Sequence, residues 1–237
     1  MRPCAVVPLA LAGMLFAAQA RAQITPWSNP RPADSRAHTS HVTVFGAFAA
    51  PEGELAHMSP SGAAFARPGA SLGLDYAAHF THDIEAGGML LFDGSPTHGG
   101  AFAAAFAAVW ARDGFGPGPV VVPATSLRIT WGLLKAGYAP QVGGRLQAEV
   151  HVYGGGFYSN WPEVEVLDVP SGLPRFQFSQ SLLGLAMGAG AGVRWRDHLT
   201  VSLLYLSGSP AQFWSEDLAY RERVSMLHLT LGYTFGH

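Results

Sequence analysis

The chain has 237 residues, 49% of them hydrophobic and only 13% Asp, Glu, Lys or Arg, about half the charged share of an ordinary soluble domain. That balance excludes intrinsic disorder, which needs a charge-rich and apolar-poor chain. A formal charge of −2 without a basic patch excludes a nucleic-acid partner, and beyond residue 20 no run of about 18 apolar residues stays unbroken, which excludes helical membrane spans. With 29 Gly, 17 Pro, 14 Phe, 6 Trp and 7 Tyr, the hydrophobicity has to be spread over many short strands joined by turns.

Residues 1–22 read as a secretory signal peptide, with Arg2 in a short basic region, an apolar core over 5–18, and Ala20, Arg21 and Ala22 as a small-x-small cleavage site. Its removal takes two of the 14 bases and none of the 16 acids, so the formal charge falls to −4. The single cysteine, Cys4, lies in this leader, so the mature chain is expected to hold no disulfide and no thiolate. Residues 23–40, rich in Pro and polar side chains, suit an extended lead-in.

From residue 41 the pattern turns to period-2 alternation, in which successive side chains face opposite ways. Val42, Val44, Gly46 and Phe48 share one face against Thr43, Phe45 and Ala47. Leu72, Leu74, Tyr76, Ala78 and Phe80 alternate with Ser71, Gly73, Asp75, Ala77 and His79. Ile84 to Phe92 repeats the pattern after a very short turn, which makes a hairpin. Leu127, Ile129, Trp131 and Leu133 then oppose Arg128, Thr130 and Gly132, and Leu146 to Val152 oppose Arg145, Gln147, Glu149 and His151. In the next strand Leu183 to Trp195 face away from small residues and Arg194, and Leu199 to Tyr205 follow a tight turn. The last strand sets Leu227, Leu229, Leu231, Tyr233 and Phe235 against His228, Thr230, Gly232 and Thr234.

Eight strands result, at 41–50, 70–80, 83–92, 122–139, 145–158, 180–195, 199–207 and 222–235. Short turns at 81–82, 140–144 and 196–198 alternate with long segments at 51–69, 93–121, 159–179 and 208–221. An even strand number with short turns at one end and long loops at the other is the organisation of a bacterial outer-membrane barrel. Residues 101–111 fit either a strand or a short amphipathic helix, because Phe102, Phe106 and Trp110 are four apart. An excursion or strand extension in the second long loop is favoured, since it keeps the even count.

The segment Leu229-Thr230-Leu231-Gly232-Tyr233-Thr234-Phe235 resembles the terminal-strand signal of outer-membrane barrels, although two residues follow the Phe. From about residue 40 onward the chain resembles the OmpA-type or opacity-type eight-stranded family. The resemblance implies an all-β, closed, antiparallel up-and-down transmembrane β-barrel over 41–237 with long extracellular loops and a periplasmic lead-in. It implies delivery to the barrel assembly machinery through Leu229, Leu231, Gly232, Tyr233 and Phe235, a place among the lipid and lipopolysaccharide of the outer membrane, and no enzymatic activity; a C-terminal peptidoglycan-binding domain is not expected.

If the apolar faces meet lipid, the opposite faces carry Asp75, Glu85, Arg128, Arg145, Glu149, His151, Arg194 and His228 into the lumen, with His79 beside them. An eight-stranded barrel is filled by side chains, so these charges have to pair. A static hydrogen-bonded plug is favoured over a gated ion path opened by a pair such as Glu149 with Arg128. A catalytic pair is disfavoured: Ser225 and His228 are three apart and face opposite ways, and Ser159 near His151 has no visible third member. His79, His82 and Asp83 form the densest metal-ligand group, yet an ordinary polar turn is favoured, with no cofactor expected. Specificity then falls to the loops, with 51–69 and 159–179 as a possible surface for a ligand; Trp161, Glu163, Glu165, Asp168, Leu173 and Phe176 lie in the second. The role expected is structural or surface-interacting, with a narrow pore and a lipid A-modifying enzyme as alternatives.

Overall fold

The computed structural model describes residues 39–53, 66–81, 83–112, 119–122, 126–143, 145–167, 174–178, 181–210 and 223–235. The expected leader and all but the last two residues of the expected lead-in lie outside the described residues. The first elements are β1 (Ser40–Glu52), β2 (Gly69–His79), β3 (Ile84–Pro96), the helix α1 (Gly99–Arg112) and β4 (Val120–Val121). They are followed by β5 (Ser126–Tyr138), β6 (Gln141–Gly143), β7 (Leu146–Asn160), β8 (Val164–Leu167) and β9 (Pro174–Phe178). The chain ends with β10 (Ser181–Trp195), β11 (Leu199–Pro210) and β12 (Val224–Phe235).

Eight long antiparallel strands close into a barrel in the order β1-β2-β3-β5-β7-β10-β11-β12, with β12 hydrogen-bonded back to β1. Closure leaves no barrel strand with a bare edge, the condition for a sheet to stand in lipid. At the seam Val42 pairs with Phe235, and inside it the hydroxyls of Thr43 and Thr234 are 2.8 Å apart. Alternation of short turns and long connections is as the sequence predicts. In the turn between β10 and β11, Arg196 and Asp197 both take positive φ (53° and 60°), and the amide of His198 donates to the carbonyl of Trp195 at 3.2 Å. Two left-handed residues match the twist of the flanking strands.

The exterior is apolar. Leu185, Met187 and Leu134 are 76%, 72% and 70% exposed, and Val42, Leu74, Val152, Leu203 and Leu231 also point outward. Around the short-turn end stand Phe80, Tyr138, Trp195, Tyr233 and Phe235, all exposed, as the aromatic girdle of a membrane barrel does. No helix among the described residues is long and apolar enough to cross a membrane, so the crossing is made by strands.

β5 departs from the expectation. Its apolar face, Leu127, Ile129, Trp131 and Leu133, points into the barrel and is at most 4% exposed, while Arg128 lies outside. These four side chains pack with Phe45, Leu91, Phe157, Leu206 and Met226 into an apolar core that fills the loop-side half of the lumen. Residues 99–112 form a helix and not a strand extension. The Ala-rich sequence has high helix propensity, and its first turn begins with the amide of Phe102 donating to the carbonyl of His98 at 2.9 Å. β4, β8 and β9, none of them anticipated, build a second, three-stranded antiparallel sheet from the second and third long connections.

Candidate functional site

The short-turn half of the lumen is polar. β2 brings Asp75 and His79 inward, β3 brings Glu85, β5 brings Lys135, β7 brings Gln147, Glu149 and His151, β10 brings Arg194 and β1 brings His41. All nine are buried, as the inward parity of each strand requires. Lys135 Nζ lies 2.5 Å from Asp75 Oδ1 and 3.1 Å from Glu85 Oε1, and the latter oxygen is 2.7 Å from His151 Nε2. Across the lumen, an Arg194 guanidinium nitrogen meets Glu149 Oε1 at 2.5 Å and His41 Nε2 at 2.8 Å. The same guanidinium reaches Gln147 Oε1 at 3.5 Å, and Gln147 Nε2 donates to the carbonyl of Ala139 at 2.6 Å. Asp75, Lys135, Glu149, His151 and Arg194, with Thr43, Tyr153 and Thr230, line a cavity of about 40 Å³, room for two or three waters. Phe45, Met89 and Leu204 also line it.

A second, smaller cluster sits within the apolar core. Asp93 accepts from Trp131 Nε1 at 2.6 Å, and both of its oxygens lie 3.1 Å from His228 Nε2. Asp93 thus ties β3 to β5 and, across the lumen, to β12. A buried carboxylate needs such partners, because an isolated one is strongly disfavoured in low dielectric.

Of the lumen residues expected from the sequence, the structure brings Asp75, Glu85, Glu149, His151 and Arg194 into one network and places His228 in the other cluster. Arg128 and Arg145 are corrected: both are exposed, Arg128 on the exterior of β5 and Arg145 in the turn before β7. The expected Glu149–Arg128 pair is therefore a Glu149–Arg194 pair. His41, Lys135 and Asp93 are not among the lumen residues expected from the sequence, and Gln147 is expected on the polar face of its strand but not in the pairing set. His41 and Lys135 share the parity of inward neighbours, Thr43 and Leu133, and that parity was the available signal.

Ser225 and His228 face opposite ways: the Ser225 hydroxyl is 3.0 Å from that of Ser207, and His228 turns inward to Asp93. Ser159 and His151 are both inward but separated by about 26 Å of extended strand. His79 turns into the lumen, and His82 of the same turn lies outside the described residues. In the third long connection Trp161 and Val166 are buried, and Val166 pairs with Phe176 across β8 and β9. Asp168 and Leu173 lie outside the described residues, as do residues 54–65 of the first. In β12, Leu229, Leu231, Tyr233 and Phe235 are outward and exposed, with Tyr233 and Phe235 in edge contact at 4.8 Å between ring centroids. Gly232 faces inward against Phe45 and Thr43, where a Cβ would crowd both at 2.8 Å.

A closed eight-stranded sheet, an apolar exterior with an aromatic girdle, and a plugged lumen define an integral outer-membrane β-barrel located in the cell outer membrane. No family model and no curated protein matches the chain. Among solved structures it is similar to Ail, the attachment invasion locus protein of Yersinia pestis, at 14% identity and a TM-score of 0.44, covering 84% of this chain and 99% of that one. It is also similar to a major outer membrane protein of Thermus thermophilus, at 13% identity and a TM-score of 0.46, covering 84% and 100%. Neisserial surface protein A is 11% identical, with a TM-score of 0.43 and coverage of 82% and 95%. The assignment rests on this chain's own strand pairing and exterior.

Proposed function

We propose that the protein is a non-conducting, non-enzymatic outer-membrane anchor that presents folded loops at the cell surface to a ligand or partner. The observation that carries this reading is the apolar core of Leu91, Leu127, Trp131, Phe157, Leu206 and Met226, which fills the lumen on the loop side of the ion-pair network. Any water path entering through the polar half ends against these side chains. At the loop end, α1 and the β4-β8-β9 sheet give the long connections secondary structure of their own. Long loops with internal structure, held by a rigid scaffold, are where binding residues concentrate. Outer-leaflet lipopolysaccharide is a further contact in this reading. Exposed Arg128, paired in register with Asn160 near the loop end of the barrel, suits its anionic groups.

The test is conductance of the purified protein in a planar bilayer. A silent bilayer, with protein that still shows heat-dependent gel mobility, supports the anchor. Discrete conductance steps would overturn it in favour of a narrow pore.

A further inference from the structure

At the short-turn mouth of the lumen, three strands bring together side chains that the sequence keeps far apart: His41 near the start of β1, His79 at the end of β2 and Glu85 near the start of β3. All three are buried, and one ligand atom from each lies within 4.8 Å of the other two. Glu85 Oε2 is 3.5 Å from His79 Nε2 and 4.0 Å from His41 Nε2. Tetrahedral ligands at zinc-like bond lengths lie about 3.4 Å apart. The first spacing is thus already that of a bound ion, and the others close by small rotations of the imidazoles.

From this geometry we infer that His41, His79 and Glu85 form a binding site for a divalent transition metal of the zinc class, with water in the remaining position. Two imidazoles and one carboxylate favour Zn²⁺, Co²⁺ or Ni²⁺ over the oxygen-seeking Ca²⁺ and Mg²⁺. A further observation points to a ligand here. Glu85 is fully buried, yet its Oε2, the oxygen facing both histidines, has no hydrogen-bond partner among the described residues. His41 Nε2 accepts from the Arg194 guanidinium at 2.8 Å, so this nitrogen carries no proton, and its lone pair turns to the metal once Arg194 releases it.

The surroundings supply the outer contacts of a metal site. Lys135 and His151 hold Glu85 Oε1 and orient the carboxylate. Arg194 keeps Glu149 and Gln147 when it yields His41. Asp75, Glu85 and Glu149 stand against Lys135 and Arg194, so with neutral histidines the network is one negative charge in excess, and a divalent ion reverses that excess without enlarging it. The site lies within two residues of the strand ends on the short-turn side, so an ion enters from that mouth. The densest histidine group of the sequence supplies only His79 to it.

The experiment uses the untagged protein extracted from outer membranes in detergent, stripped with EDTA and titrated with Co²⁺. Saturable visible absorption at one equivalent, displaced by Zn²⁺, is expected. His79→Ala and His41→Ala are expected to weaken binding at least tenfold while retaining heat-dependent gel mobility. X-ray absorption of the Zn²⁺-loaded wild type, which does not depend on variants folding, should count two imidazole nitrogens at about 2.0 Å. No saturable binding, an oxygen-only shell, or unchanged binding in folded His79→Ala overturns the inference. The last result would assign the ion to surface histidines such as His98 and His198.

Discussion

Lys135→Met is the most informative single change in the barrel. The Lys135 ammonium is the cation between two carboxylates, 2.5 Å from Asp75 and 3.1 Å from Glu85, in a side chain that is almost wholly buried. Met keeps the length and volume of the stem and deletes only the charge. Two buried carboxylates then face each other across the site, and Glu85 keeps the His151 contact. Removing one member of a buried ion pair costs about 3–5 kcal/mol, because the partner is left charged in low dielectric. Against a total stability of about 5–15 kcal/mol that loss is readily measured by urea unfolding in detergent micelles, followed by tryptophan emission at constant slope. Adding Asp75→Asn restores the charge balance of the network and is expected to recover a large part of the loss. A cost below about 1 kcal/mol, the range of solvated pairs, would refute the reasoning and show that water fills the lumen around Lys135.

Two further predictions bear on the exterior. Leu134→Arg places a guanidinium on an outward position that is 70% exposed, four residues in from the girdle residue Tyr138; it is expected to destabilise the barrel in lipid vesicles by about 2–4 kcal/mol, the midplane range, and a neutral effect would deny β5 its lipid contact. Phe235→Ala is expected to lower the amount of protein assembled in outer membranes, measured by the heat-modifiable fraction, while detergent-refolded protein keeps its mobility shift. Loss of both would give Phe235 a structural role in place of a recognition one.

Strand positions and the turn alternation were legible because both follow from period 2 and from turn chemistry, which are local. Which way each face points is not local. β5 illustrates this: Leu127, Ile129, Trp131 and Leu133 share a face, but alternation is silent on whether that face meets lipid or lumen. Lys135, the next residue of the same parity, marks it as inward, since a lysine among lipid tails is far costlier than one between two carboxylates. Reading the apolar side as lipid-facing sent Arg128 inward and hid Lys135 together. Asp93 was lost for a different reason, a strand ended at residue 92 when pairing continues to Pro96. The sheet of β4, β8 and β9 joins two loops distant in sequence, and its strands of 2, 4 and 5 residues are too short to print a pattern.

The seam between β1 and β12 sets the timetable of the molecule. Thr43 and Thr234, which meet there, are 191 residues apart, and closing a loop of that length costs about 5 kcal/mol of chain entropy. Until β12 is in place, β1 has only one neighbour and β11 has only one, and each would expose a row of unpaired amides and carbonyls. In hydrocarbon such rows are prohibitive, so a chain lacking β12 has no partly inserted state to rest in. The barrel therefore closes only with β12 present, and deletion of Val224–Phe235 is expected to forfeit the entire fold, not one eighth of it.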